Sequence, residues 1–161
     1  MVEADVMPGE RSERASYEVD SAKGVARAVD LAEDQRAYAS WIHWGSLIAL
    51  GSVIFSTGIA FFVPLLVALA MWQIRRNDHP FIDDHGREAL NFQISLILLG
   101  IILFVAALLL TFGTALPLVV FGMPVLGIVG CIMGGLAAGR SEYFRYPMCI
   151  RLIKGPADAP D

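Results

Sequence analysis

Aspartate, glutamate, lysine and arginine are missing from two long stretches of this 161-residue chain: the 38 residues from Ala37 to Ile74 and the 51 from Ala89 to Gly139. Only 17% of all residues are charged, 56% are apolar or aromatic and the mean hydropathy is +0.59, outside the usual range of soluble globular domains. Basic surface is scarce too, with twelve Lys and Arg against sixteen acids and a net charge of −4, which excludes a nucleic-acid-binding domain. Two cysteines, Cys131 and Cys149, fall at different expected depths and exclude a disulfide framework. The first 36 residues are acidic and lack an apolar core segment, so no cleavable signal peptide is predicted. What remains is an integral membrane protein.

A hydrocarbon core about 30 Å thick takes roughly 20 helical residues rising about 1.5 Å each. Runs of 38 and 51 residues are too long for one crossing, so each is expected to fold back. Ser56-Thr57-Gly58 is the best turn in the first run, and Gly113 to Leu116 precedes Pro117, a residue suited to a helix start, in the second. The expected fold is an all-α bundle of four transmembrane helices in two hairpins, at about 40–55, 59–74, 89–112 and 117–138. Residues 75–88 form the intervening loop and 139–154 an interfacial basic and aromatic segment, followed by a tail at 155–161. Arg75, Arg76 and Arg87 lie between spans two and three, Arg140, Arg145, Arg151 and Lys154 follow span four, and Lys23, Arg27 and Arg36 precede span one. The positive-inside rule therefore places both termini and the middle loop in the cytoplasm of a bacterial inner membrane. Trp41, Trp44 and Trp72 gather at the same interface, as an aromatic belt would.

Residues 1–20 read as a disordered acidic tail. In residues 21–36, Val25, Val29 and Ala32 recur at helical spacing and predict an amphipathic juxtamembrane helix. Between spans two and three, Asp78, His79, Asp83, Asp84, His85 and Glu88 are residue types that bind metals, but their spacing matches no ligand motif. The structural reading has Asp83 or Asp84 capping span three and Arg87 and Arg76 pairing with the acids. No catalytic, cofactor-binding or metal residue is assigned.

This loop carries a family resemblance. Phe81 to Ser95, most specifically Ala89-Leu90-Asn91-Phe92-Gln93, together with Ala39, His43, Pro64, Trp72, Glu142 to Pro147 and Ile150-Arg151, resembles a bacterial family of small membrane proteins of unknown function. That family is itself likened to the twenty-kilodalton inner-envelope subunit of the chloroplast Tic protein-import machinery. The resemblance runs from about Arg36 to Lys154, and Gly45 stands where the family more often has serine. It implies four spans and no enzymatic activity, and implies transport only through the plastid likeness.

Polar side chains inside the spans are expensive in hydrocarbon and mark function or packing. His43, Gln73, Asn91, Gln93 and Ser95 all fall in the cytoplasmic half, and Glu88, Asn91 and Ser95 share a helix face. They are expected to form one polar cluster with His43 and Gln73 beneath the loop. Asp83, Asp84, His85 and Arg87 of the loop and Tyr143, Tyr146, Pro147 and Arg151 of the tail complete the family motif. Gly130, Gly134 and Ala138, at intervals of four, are expected to let helices approach closely, within the bundle or against a partner. Leu96 to Leu110 holds no polar side chain, which argues against a monomeric channel. The functional expectation is a non-enzymatic assembly or binding component, in contact with the bilayer and with a membrane-protein partner or further copies of itself, using no nucleic acid and no identified small-molecule substrate. The rival is a transport or translocation component that forms its path only as an oligomer or with partners.

Overall fold

The computed structural model describes residues 17–20, 25–55, 62–147 and 149–154. Four helices make the body: α1 (Glu33–Phe55), α2 (Val63–Arg75), α3 (Pro80–Thr111) and α4 (Leu116–Gly139). Two of them, α3 and α4, are long and apolar enough to cross a membrane, and α2 is a shorter apolar helix. The four expected spans are thus four helices, of which two meet the spanning criteria of length and composition. The Ser56-Thr57-Gly58 turn lies outside the described residues.

Local chemistry sets the helix ends. α3 starts nine residues before the expected Ala89, because His79 in extended backbone accepts the Phe81 N–H on Nδ1 at 3.1 Å and Pro80 follows at the first position. Pro tolerates that position because its missing N–H would be unpaired there anyway. His79, not Asp83 or Asp84, is therefore the cap, and most of the expected loop is helix. α3 stops where Phe112 turns left-handed (φ 50°) and Gly113 follows at φ 83°, and Thr111 Oγ1 accepts the Ala115 N–H at 3.1 Å. Pro117 then lies in the first turn of α4.

The N-terminal segment departs from the expected amphipathic helix. Two short antiparallel strands, β1 (Tyr17–Asp20) and β2 (Val25–Ala28), pair Tyr17 with Ala28 and Asp20 with Val25. The last four residues of the expected disordered tail are therefore ordered, and residues 1–16 lie outside the described residues. β2 also bonds to the chain leaving α4, through Ala28 N–H to Ser141 O and Tyr143 N–H to Ala26 O, both 2.9 Å. A sheet ladder with a distant segment overrides the weak helical periodicity of so short a stretch, and Asp30, at φ 60°, separates strand from helix.

The buried core lies at the end of the bundle where β2, the start of α3 and the segment after α4 meet. Ala39, Ile42, Ala68, Trp72, Phe81, Ile82, Ala89, Leu90 and Ala138 pack together there. Tyr38 O–H donates to Met71 O and Ser40 O–H to Gly135 O, each at 2.8 Å, tying α1 to α2 and α4. Towards the far end the helices expose large apolar side chains such as Leu109, Leu110, Leu118 and Phe121, as expected for surfaces facing lipid tails.

Candidate functional site

The polar site is built on one face of α3. Asp84, Glu88, Asn91 and Ser95 follow one another at steps of four, three and four residues, which places them in a single row. All four hold the segment after α4, residues 140–154, which runs back along α3 as a strap. Arg145 forks onto Asp84 with contacts of 2.6 and 2.7 Å, the bidentate geometry that makes Arg–carboxylate pairs strong. Glu88, only 3% exposed, accepts from Arg151 Nε at 3.0 Å and from the Tyr146 N–H at 3.3 Å, with Arg145 Nε 3.7 Å away. Asn91 accepts the N–H groups of Leu152 (3.1 Å) and Ile153 (2.9 Å) and donates to Ile153 O (3.0 Å). Ser95 accepts the Ile150 N–H at 2.9 Å and donates to Asn91 O at 2.7 Å.

Beside this row runs a second, wholly buried chain of hydrogen bonds. His85 Nε2 lies 3.1 Å from Glu142 O, His85 Nδ1 lies 3.1 Å from His43 Nε2, and His43 Nδ1 lies 2.9 Å from Tyr146 Oη. A carbonyl only accepts, so His85 donates from Nε2, and its Nδ1 then accepts from His43 Nε2–H. His43 Nδ1 is left to accept the Tyr146 hydroxyl, whose pKa burial raises well above the ordinary value of 10. One pair of neutral tautomers satisfies every link, joining α1, α3 and the first half of the strap.

Glu142 anchors the strap to the N-terminal strands. Arg27 Nη2 and Arg140 Nε each lie 2.9 Å from its carboxylate. Burial works to raise its pKa, but hydrogen bonds from Arg27 and Arg140 outweigh that and hold the carboxyl below its ordinary value of 4.5. The native state thus binds this proton less readily than the unfolded chain. The contribution is complete above pH 4.5 and disappears as pH falls through the depressed value. Glu142→Gln is expected to melt below the wild type at pH 7 in detergent, with the gap closing as pH is lowered past 4.5; a gap independent of pH would contradict this role.

The expected single cluster is therefore two systems. His43 joins His85 and Tyr146, whereas Glu88, Asn91 and Ser95 grip the strap. Gln73 is exposed on α2 and belongs to neither, because its helix face points away from α3. Gln93 instead points across to α4, with Nε2 3.6 Å from Cys131 Sγ. Asp83 accepts from Trp72 Nε1 at 2.8 Å and pairs with Arg87; Arg76 sits over the Trp72 ring and Arg75 pairs with Asp78 and Asp34. Pro147 is exposed, and Tyr143 packs edge-on against Phe81. The candidate loop ligands are spent on these contacts, and among the described residues no three His, Cys, Asp or Glu gather where a metal ion would fit.

The small residues of α4 admit rings from the other helices. A Cβ at Gly130 would lie 2.6 Å from Phe92 Cε1, one at Gly134 2.7 Å from His43 Nδ1 and one at Gly135 2.8 Å from the Trp44 ring. Ala138 is fully buried in the core. This stripe is accordingly used within the bundle. The partnerships of Asp84 with Arg145, and of Glu142 with Arg27 and Arg140, were not read from the sequence; Asp84, four residues before Glu88, was the signal that extends the row.

The model of the magnetosome magnetite crystal formation protein family matches residues 34–153, which take in the four helices but for Glu33, the polar row and nearly the whole strap. No curated protein and no solved structure matches the chain. The expected resemblance to a family of small membrane proteins holds at that level, and the match carries no likeness to the plastid import subunit. The chain belongs to the magnetosome magnetite crystal formation protein family, a family of small membrane proteins.

Proposed function

We propose that the protein is a non-enzymatic, integral component of a bacterial membrane that serves magnetite crystal formation as an assembly or binding subunit. In this reading its four helices insert as two hairpins through the inner membrane, with both termini cytoplasmic. The observation that carries the reading is the division of the surface. Ion pairs draw β2, the α2–α3 turn and the strap to one end, through Arg27–Glu142, Arg75–Asp34 and Arg145–Asp84, and the basic residues of all three segments collect there as the positive-inside rule requires. The other end is apolar on its outside. α1, at 23 residues and about 35 Å, is long enough to cross beside α3 and α4.

The polar side chains of the site bond to one another and to the strap, which suits a rigid platform for a partner better than a reaction centre. Transport would need further copies or partners to complete a path, because the outer half of α3 offers only apolar walls. The test is deletion of the gene in a magnetite-forming bacterium. Crystals of altered size, restored by the wild-type gene but not by a Glu88→Ala copy, together with a stoichiometric companion protein in the detergent-extracted complex, are expected. Unaltered crystals overturn the role in crystal formation, and a pure homo-oligomer with solute flux in vesicles would favour transport.

A further inference from the structure

The strap reaches further along α3 than a surface-bound tail would. Asn91 and Thr111 are 20 residues apart on one helix, about 30 Å at 1.5 Å per residue, which is the whole thickness of a hydrocarbon core. With the turn after Thr111 at the outer boundary, Asn91 lies at the inner boundary and Ser95 about 6 Å inside it. α4 supplies a second ruler. Gly130 packs against Phe92 and lies 14 residues, about 21 Å, from Leu116 at the outer end, so this level of α3 is placed deeper still. Yet it is here that residues 150–153 of the strap, which are not helical, run beside α3.

Non-helical backbone at membrane depth is tolerated only where its polar groups are satisfied by protein. That condition is met by the two polar side chains of α3 at this level: Ser95 takes the Ile150 N–H, and Asn91 takes the N–H of Leu152 and Ile153 and covers the Ile153 carbonyl. Ile153 packs against the core, but the two other apolar side chains of this stretch face outwards, Ile150 50% and Leu152 60% exposed, although a solvated segment would turn them to the core. Arg151 between them is held by Glu88.

We infer that residues 149–153 form a re-entrant loop whose Ile150 and Leu152 side chains insert among the acyl chains of the cytoplasmic leaflet, with Asn91 and Ser95 replacing the water its backbone would otherwise need. The partner of this surface is lipid. The inference rests on the proposed spanning arrangement of α3.

The full chain carrying Leu152→Cys and Cys149→Ala, labelled with a nitroxide and reconstituted in vesicles of phosphatidylethanolamine and phosphatidylglycerol, tests it by collision with dissolved oxygen and with an aqueous nickel chelate. Cys131 is buried and stays in place. Labels at Leu103→Cys on α3 and Asn77→Cys in the α2–α3 turn, each in the Cys149→Ala chain, give the apolar and aqueous references. The label at 152 is expected to relax with oxygen and lose its response to nickel, as at 103. A nickel response like that at 77, with 103 still shielded, overturns the loop while leaving the span intact; a nickel response at 103 overturns the span itself. Ile150→Cys, the other outward residue, reads the same depth if the first variant does not fold.

Discussion

Glu88→Ala is expected to lower the stability of the purified protein by about 1–3 kcal/mol, the usual cost of leaving buried hydrogen-bonding groups without a partner. The carboxylate is nearly inaccessible and serves three groups of the strap: the Arg151 and Arg145 guanidiniums and the Tyr146 N–H. Truncation leaves the Arg151 guanidinium and the buried Tyr146 N–H without their acceptor, while Arg145 keeps its fork on Asp84. The cost comes from those stranded groups more than from the lost attraction. Glu88→Gln should therefore fall between the two, since its amide oxygen still accepts one hydrogen bond but brings no charge. Thermal unfolding in a mild detergent at pH 7, followed by circular dichroism, gives the order wild type, Gln, Ala. The strap should loosen first, so limited proteolysis between Arg145 and Lys154 is expected to accelerate in Glu88→Ala before the helices melt. Equal melting temperatures for all three proteins would show that the strap contributes nothing to the fold.

The two sides of this site were legible to different degrees. The row on α3 could be read from the sequence, because helical spacing alone sets Glu88, Asn91 and Ser95 on one face and hydrocarbon makes bare polar side chains too costly to be incidental. What they bind could not be read in the same way. Asn91 and Ser95 act on the backbone of residues 150–153, and a peptide N–H carries no residue identity for a pattern to detect. His43 and His85 are 42 positions apart and fall on different sides of the expected loop boundary; their hydrogen bond depends on the early start of α3 at His79 and Pro80, which turns the loop around His85 into helix. Gln73 shows the converse limit. It shares residue type and expected depth with the cluster, but the rotation of a short helix about its axis decides which way a side chain faces. β2 is not legible as a strand because its alternation spans four residues, too few to distinguish a strand from a helical turn, and one of the two segments it pairs with, around Ser141 and Tyr143, lies more than a hundred residues away.

Gly134→Ala is the smallest change with a large expected effect. The new methyl group would fall where the Tyr146 hydroxyl and the His43 ring already meet, 2.7 Å from Nδ1 and 2.9 Å from Cε1. Contacts so short require a ring to move, and neither ring is free to do so. His43 is fixed by His85 on its other nitrogen, and Tyr146 stacks on Phe92 with 4.1 Å between ring centroids. Overpacking of this kind costs about 1–3 kcal/mol, and loss of the Tyr146–His43 bond adds about 1 kcal/mol more where a buried donor is left unpaired. Helix propensity works in the opposite direction, since alanine favours a helix over glycine by about 1 kcal/mol. Gly51 and Gly122 separate the two effects. A Cβ at either meets nothing within 4 Å, so Gly51→Ala and Gly122→Ala should hold or raise the melting temperature while Gly134→Ala lowers it. If all three variants were stabilised, the close approach of α4 to the His43–Tyr146 pair would be refuted. If Gly134→Ala alone is destabilised and Tyr146→Phe in the same chain recovers part of the loss, the clash lies at the phenol oxygen, and the helix interface and the strap are one packing unit.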